Sequence, residues 1–434
     1  MKVSIKKETM VPPAEETPQV ALWASNVDLI IPQIHTSSVY FYRPSGSPDF
    51  FSGDVLRDAL AKALVPFYPM AGRLARDQDG RIQINCNAAG VLLVEAEADV
   101  SIDDLGGFAP HPVLQQLVPT VVYTKDITAF PLLVLQVTRF KCGGASLGVG
   151  MEHHIADGTS GIHFINTWSD VARGEGVKVL PFVDRTLLRA RSPPTPQFEH
   201  VEYQTPFTLQ PRFRPEEGSE KVETVVESFT FSREQLGKLK AMVADPGANL
   251  AYSSYVALSA HIWRCATRAR GLSGDQPSKL FVATDGRARL RPPLPRGYFG
   301  NVIFTCTPVA EAEELVAKPL IRTAARIQEA VLKMGDEYLR SALDYLELLP
   351  DMSVCIRGAA HFGNPNLCIT SWSGLPVYDC DFGWGRAIHM GPCQIGFEGL
   401  CFVLGSATKD GSLGLALRLR ADHMADFRKL VNDI

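Results

Sequence analysis

The chain has 434 residues, 46% of them hydrophobic and 21% charged, with a formal net charge of −4. That balance is ordinary for a globular protein with a large core, and the length suits about two domains of one to two hundred residues each. With no run of five or six like charges and no basic stripe, neither nucleic acid nor an anionic membrane surface is an expected partner.

The N-terminus, Met1-Lys2-Val3-Ser4-Ile5-Lys6-Lys7-Glu8, has basic residues with no apolar run after them, so it does not read as a secretory signal. The most apolar short run, Leu132-Leu133-Val134-Leu135, falls far below the roughly eighteen residues of a membrane span. A cytoplasmic protein is expected. The nine cysteines are scattered without a Cys-x-x-Cys pair and read as small buried hydrophobes in a reducing compartment.

In chain order, Val, Tyr and Phe content predicts a strand over 36–42. Ser52 then caps a helix whose apolar residues Val55, Leu56, Ala59, Leu60, Ala63 and Leu64 recur at helical spacing until Pro66 and Pro69 end it. A strand follows at 81–85. Strands at 132–140 and 145–151 are joined by Lys141-Cys142-Gly143-Gly144, and the second runs into a histidine pair. A helix over 160–168 buries Ile162, Ile165 and Trp168. The Pro-rich stretch 189–221 reads as a crossover between domains. Beyond it come a strand at 227–231, helices at 233–242 and 253–265, and a strand at 280–284. Helices at 321–334 and 336–346 and strands at 368–372, 399–404 and 413–419 complete the pattern.

The histidine pair belongs to His153-His154-Ile155-Ala156-Asp157-Gly158. Histidine and aspartate both ligate metals, but neighbouring side chains on a strand point to opposite faces, so one shared ion is disfavoured. An imidazole can take a proton at neutral pH and return it. On spacing alone, a catalytic histidine and a core histidine are about equally supported.

Together with Asp381-Phe382-Gly383-Trp384-Gly385, this motif resembles the BAHD acyltransferases of plants. The runs Leu64-Val65-Pro66-Phe67-Tyr68-Pro69-Met70-Ala71-Gly72-Arg73-Leu74, Ala283-Thr284-Asp285-Gly286-Arg287-Ala288-Arg289-Leu290 and Tyr298-Phe299-Gly300-Asn301-Val302 look most like its hydroxycinnamoyl-CoA:shikimate/quinate hydroxycinnamoyltransferases. The resemblance implies an α/β fold, chloramphenicol acetyltransferase-like, of two similar-sized domains of mixed sheet and helices with a channel between them. Residues 1–188 would carry the catalytic histidine, 189–221 the crossover, and 222–434 the CoA and acceptor contacts.

By the same resemblance, His153 deprotonates the acceptor hydroxyl, which attacks the thioester of a p-coumaroyl- or caffeoyl-CoA. Trp372 supplies an oxyanion donor, a role worth about 3 kcal/mol when well placed, and Thr370 bonds the acceptor hydroxyl. Asp157 is structural, pairing with Arg287 or Arg289, Gly158 allows a tight turn after it, and Asp381 is structural too. Arg357 holds an acceptor carboxylate as a bidentate guanidinium can, while His35, Ser38 and Tyr40 line the same pocket. Ser253, Ser254, Tyr255, Asp285, Gly286 and Arg287 contact CoA, with Arg212 or Arg214 at its 3′-phosphate. The chain departs from the family pattern at Ser37, at Ser373-Gly374 and over Pro392-Cys393-Gln394-Ile395-Gly396-Phe397. The implied acceptor is shikimate; quinate, or an uncharged acceptor such as glycerol, or an amine, is the alternative. Acyl-CoA is a co-substrate, no metal or cofactor is implied, and a monomer is expected.

Overall fold

The strand that carries the histidine motif, Ala145–Glu152, is buried at every position. Covered on both faces, it needs small residues where backbone comes close. A Cβ on Gly148 would stand 1.8 Å from the Leu117 carbonyl oxygen, so no larger residue fits there. This strand is the frame on which the histidine is held.

The computed structural model describes residues 1–209, 223–244 and 251–434. Its first strands are β1 (Val3–Val11), β2 (Ala21–Trp23), β3 (His35–Tyr42), β4 (Arg73–Arg76), β5 (Ile82–Asn85), β6 (Val91–Ala98), β7 (Leu133–Arg139) and β8 (Ala145–Glu152). After the crossover come β9 (Thr224–Phe231), β10 (Pro277–Asp285), β11 (Ile303–Cys306), β12 (Val309–Glu311) and β13 (Leu367–Ser371). The last are β14 (His389–Pro392), β15 (Leu400–Gly405) and β16 (Leu413–Arg420).

The chain divides into two units. The first comprises Met1–Ala190, Pro292–Val302 and Gly374–Gln394. It holds a six-stranded sheet in the order β1-β6-β7-β8-β3-β14 and a small sheet β2-β5-β4. The helices Gly53–Ala63 and Gly158–Ala172 pack on each other. The second unit comprises Arg191–Arg291, Ile303–Ser373 and Ile395–Ile434. Its sheet runs β11-β10-β13-β15-β16-β9, with β12 also on β10. There β10, β13 and β15 are mutually parallel, and Ser254–Ala269 packs against Ala421–Val431 and Leu320–Lys333.

Most expected elements lie within a few residues of their observed bounds. Three differences are instructive. The strand β1 has no apolar alternation, because Ser4 to Glu8 are exposed and pairing with β6 is all that makes it a strand. The domains are not linear segments either. Residues 292–302 and 374–394 return to the first unit, where β14 adds to the edge of β3 and Phe182 bridges Tyr298. Nor is the described part of the crossover a loose linker. Asp344 accepts from the backbone N–H groups of Arg191 and Thr195, and Ser341 Oγ from that of Gln197, which fixes the segment to the helix Asp336–Glu347.

Two buried ion pairs lie at the end of β8. Arg185 Nη1 is 3.0 Å from Asp28 Oδ1, with both side chains essentially inaccessible. Arg185 also donates to the carbonyls of His154 and Ile155, and the other Asp28 oxygen accepts from Ser25 N and Oγ. Beside this pair, His154 Nδ1 lies 2.8 Å from Glu152 Oε1 while its backbone N–H donates to Oε2. Burial opposes charge on the His154 ring, but the Glu152 carboxylate, aided by Asp28, outweighs it and raises the pKa above the usual histidine value.

Removing one partner of a buried pair strands the other. Arg185→Met is expected to cost about 3–5 kcal/mol in denaturant unfolding; a loss under about 1 kcal/mol would mean that Asp28 finds another partner. A folded-state pKa raised above the unfolded value adds stability that is complete below about pH 6.5 and fades as pH rises through the folded value. His154→Gln should therefore lose more stability relative to the parent at pH 6 than at pH 9. An unchanged gap would show that His154 is neutral in the folded protein.

Candidate active site

His153 lies in the turn just past β8, partly exposed, and its N–H donates to the Ile34 carbonyl ahead of β3 (2.9 Å). Its Nδ1 is 3.2 Å from Asn301 Oδ1. The Asn301 amide cannot be reversed, because its Nδ2 donates to Asp28 Oδ1 and to the His153 carbonyl, both at 2.8 Å. Both of those oxygens only accept. An amide oxygen facing Nδ1 requires the proton on Nδ1, which leaves the Nε2 lone pair as the basic site. The ion pair Asp28–Arg185 thus sets the tautomer of His153 through a single buried amide. His154 turns to Glu152, so the two adjacent rings serve different partners.

Sequence alone marks Asn301 only as a polar residue inside the apolar stretch Tyr298-Phe299-Gly300-Asn301-Val302-Ile303-Phe304.

Asp157 caps the helix Gly158–Ala172 by accepting from Ser160 N, and its second oxygen accepts from Val302 N (2.9 Å). Both oxygens thus serve backbone, as a structural residue would. Gly158 does not take the left-handed conformation of a tight turn. It opens the helix, and a Cβ there would meet Leu375 at 3.1 Å. Asp381 Oδ1 accepts from the N–H groups of Gly383 and Gly385, whose φ values of 99° and 104° only glycine tolerates easily. The rings of Phe382 and Trp384 pack on Phe51, so this motif is a locked turn.

The acceptor-pocket candidates of the first unit separate. With unbroken pairing along β3, Ser38 and Tyr40 share one face and His35 the other. His35 N–H donates to the Tyr123 hydroxyl, which lies 2.7 Å from His35 Nδ1, and Nε2 is 2.9 Å from the Pro131 carbonyl. The hydroxyl must then donate to Nδ1 while Nε2–H donates to Pro131. Burial holds this ring below the usual histidine pKa. Both nitrogens are committed, so His35 offers a ligand only its ring. Tyr40 is buried beside Tyr378 and Cys380, and burial raises its phenol pKa well above the ordinary value.

The second unit holds the remaining candidates. Thr370 lies on β13 and Trp372 just beyond it, where the Trp372 N–H continues the ladder to Val403. Trp372 packs edge-on to Phe402, 4.9 Å between centroids. By alternation Cys368 and Thr370 share a face, and the Arg357 guanidinium lies close enough to Cys368 to bear on its thiol. Thr370 and Trp372 thus lie at the end of β13, and Arg357 lies near Cys368 on the same strand. The parallel register Val282↔Ile369 brings Asp285 level with Trp372, three residues further along each strand, at the carboxyl edge where open α/β sheets bind ligands. There Arg287 donates to Asp285, and a Cβ on Gly286 would crowd Phe304 at 2.9 Å.

Ser253 caps the helix Ser254–Ala269 by accepting from Val256 N, which leaves its O–H to donate, whereas the Tyr255 hydroxyl donates to the Ile369 carbonyl. Donors for a phosphate are thus the Ser253 and Ser254 hydroxyls and the backbone N–H groups of the helix start. Arg212 and Arg214 lie outside the described residues. Among the described residues no group of histidine, cysteine and carboxylate side chains could hold a metal ion, and no helix is long and apolar enough to cross a membrane.

A family model described as the Transferase family matches residues 1–433. The shikimate O-hydroxycinnamoyltransferase of Nicotiana tabacum is 59% identical over 436 residues, covering 100% of both chains. The hydroxycinnamoyl-CoA:5-hydroxyanthranilate N-hydroxycinnamoyltransferase of Avena sativa is 55% identical over 446 residues, again covering 100% of each. Among solved structures, vinorine synthase superposes with a TM-score of 0.74 at 24% identity, over 98% of this chain and 96% of that one. The two-unit mixed α/β fold is thus the fold of that enzyme. With a family match along its whole length and relatives of this identity, the chain belongs to the BAHD acyltransferases and is an acyltransferase.

Proposed function

We propose that the protein transfers a hydroxycinnamoyl group, p-coumaroyl or caffeoyl, from CoA to a hydroxyl of shikimate, with His153 as general base. The observation that carries this reading is the fixed tautomer of His153, whose Nε2 lone pair is kept free by Asn301. Nε2 takes the proton of the acceptor hydroxyl as its oxygen attacks the thioester carbonyl. The tetrahedral oxyanion takes a hydrogen bond from the Trp372 indole N–H, and Thr370 orients the acceptor. Neither of those side-chain groups has a hydrogen-bond partner among the described residues, so both are uncommitted. Collapse expels CoA as its thiolate, which recovers the proton from the imidazolium. Arg357 pairs with the acceptor carboxylate, and Ser254, Asp285, Gly286 and Arg287 serve the CoA side. The enzyme works as a cytoplasmic monomer with acyl-CoA as co-substrate and no cofactor.

A second reading is transfer to the amine of an acidic acceptor. It is favoured by the oat relative, named for 5-hydroxyanthranilate, which at 55% identity is nearly as similar as the tobacco one. Quinate would use the same carboxylate contact, whereas glycerol would not. Incubation with p-coumaroyl-CoA and a panel of shikimate, quinate, 5-hydroxyanthranilate and glycerol separates these, and a preference for glycerol would remove Arg357 from the mechanism.

His153→Ala is expected to lower kcat by about a hundredfold or more, as for loss of a positioned base; near-normal turnover would reject the assignment. Arg357→Ala should raise KM for shikimate at least tenfold, about 1.4 kcal/mol, while sparing methyl shikimate, whose carboxylate is masked. Equal effects on acid and ester would show that Arg357 does not read the carboxylate.

A further inference from the structure

Burying a polar group without a partner is unfavourable, and folded proteins rarely do so twice in one place. Around Arg357 the second unit does it three times. Arg357 Nη2, the Tyr203 hydroxyl and both ring nitrogens of His361 are buried with no hydrogen-bond partner among the described residues. Tyr203 is 4% exposed and His361 6%. The guanidinium lies beside both: it comes within reach of the Tyr203 hydroxyl without hydrogen-bond geometry, and its charge acts on the phenol and on the His361 ring. The nearest backbone acceptor to that ring, the Val354 carbonyl, lacks hydrogen-bond geometry.

The three groups are also held still. Tyr203 stacks on Tyr345, 5.9 Å between centroids and 17° from parallel, and its carbonyl accepts from Cys355 Sγ two residues before Arg357. His361 meets Phe281 edge-on. At the His361 ring the local charge is positive, because Lys279, buried, acts on it together with Arg357 while donating to the Val201 carbonyl. At the Tyr203 phenol the Glu202 carboxylate acts alongside Arg357, and that carboxylate is already hydrogen-bonded to the Tyr338 hydroxyl at 2.9 Å and to His200.

Rigid, buried and unpartnered donors beside a guanidinium suit an anionic acceptor of hydrogen bonds. We infer that Tyr203 and His361 are specificity-determining residues that, with Arg357, form a three-sided receptor for the carboxylate of the acyl acceptor. This rests on the reading of Arg357 as the carboxylate contact and extends it. A lone arginine attracts any anion, whereas a phenol O–H and an imidazole N–H on either side accept a flat, two-oxygen group. An acceptor without a carboxylate would leave all three donors buried and unpaired, which discriminates against it more strongly than the loss of one attraction.

The test compares shikimate with methyl shikimate, using p-coumaroyl-CoA as donor. Tyr203→Phe should lower kcat/KM for shikimate about tenfold, as expected for one hydrogen bond to a charged group. It should leave the ester unaffected and the Tm of the free protein unchanged or higher, since the deleted hydroxyl has no partner there. His361→Phe should show the same selective loss, and His361→Gln, which keeps an N–H donor, should retain most of the activity. Equal losses on acid and ester, or no loss on either, overturn the inference when Arg357→Ala still discriminates between them, and the carboxylate reading then stands alone. If Arg357→Ala itself fails to discriminate, that reading falls and this inference falls with it.

Discussion

The buried ion pair Asp28–Arg185 governs the geometry of the first unit. Desolvating two charges is costly, and the cost is offset only where every remaining donor and acceptor is used. Here it is largely met. Arg185 takes two carbonyls of the turn after β8, and Asp28 takes Ser25 on one oxygen and the Asn301 amide on the other. The consequence is specific to chemistry. An apolar replacement could pack as well, but it would leave the Asn301 amide held by the His153 carbonyl alone, with one of the two acceptors that fix its direction gone.

The second unit solves a different problem. Its parallel strands β10, β13 and β15 finish at one edge, where Asp285, Gly286, Thr370 and Trp372 collect. Such an edge is a natural ligand position because side chains there leave the sheet while their backbone remains held by it. Polar atoms here differ in whether the fold already uses them. The Tyr255 hydroxyl and both ring nitrogens of His35 are engaged, whereas the side chains of Thr370 and Trp372 have no hydrogen-bond partner among the described residues.

Local chemistry was legible where periodicity is strong and where a motif is compact. The helix after Ser52 and the β7–β8 hairpin could both be anticipated from residues close together in the chain. What could not be read depends on distant partners. The strand β1 is a strand only because β6 pairs with it, and β14, four residues ending in proline, is an edge addition to β3. The places of Asn301 and Tyr123 come from partners brought near by folding. Tyr255 has a donor suited to a phosphate, but its hydroxyl is used by a neighbouring strand.

The return of residues 292–302 to the first unit has a bearing on how the enzyme comes into being. The amide that orients His153 lies 148 residues further along the chain. During synthesis β8 and its histidine emerge first, and for the time needed to make that intervening stretch Asp28 has Arg185 but no amide to align. A fragment ending near residue 190 would hold the whole histidine motif and still lack the group that gives it a defined proton. The first unit is therefore not a separable module, because the histidine motif is completed by a segment that linear inspection would assign to the other half.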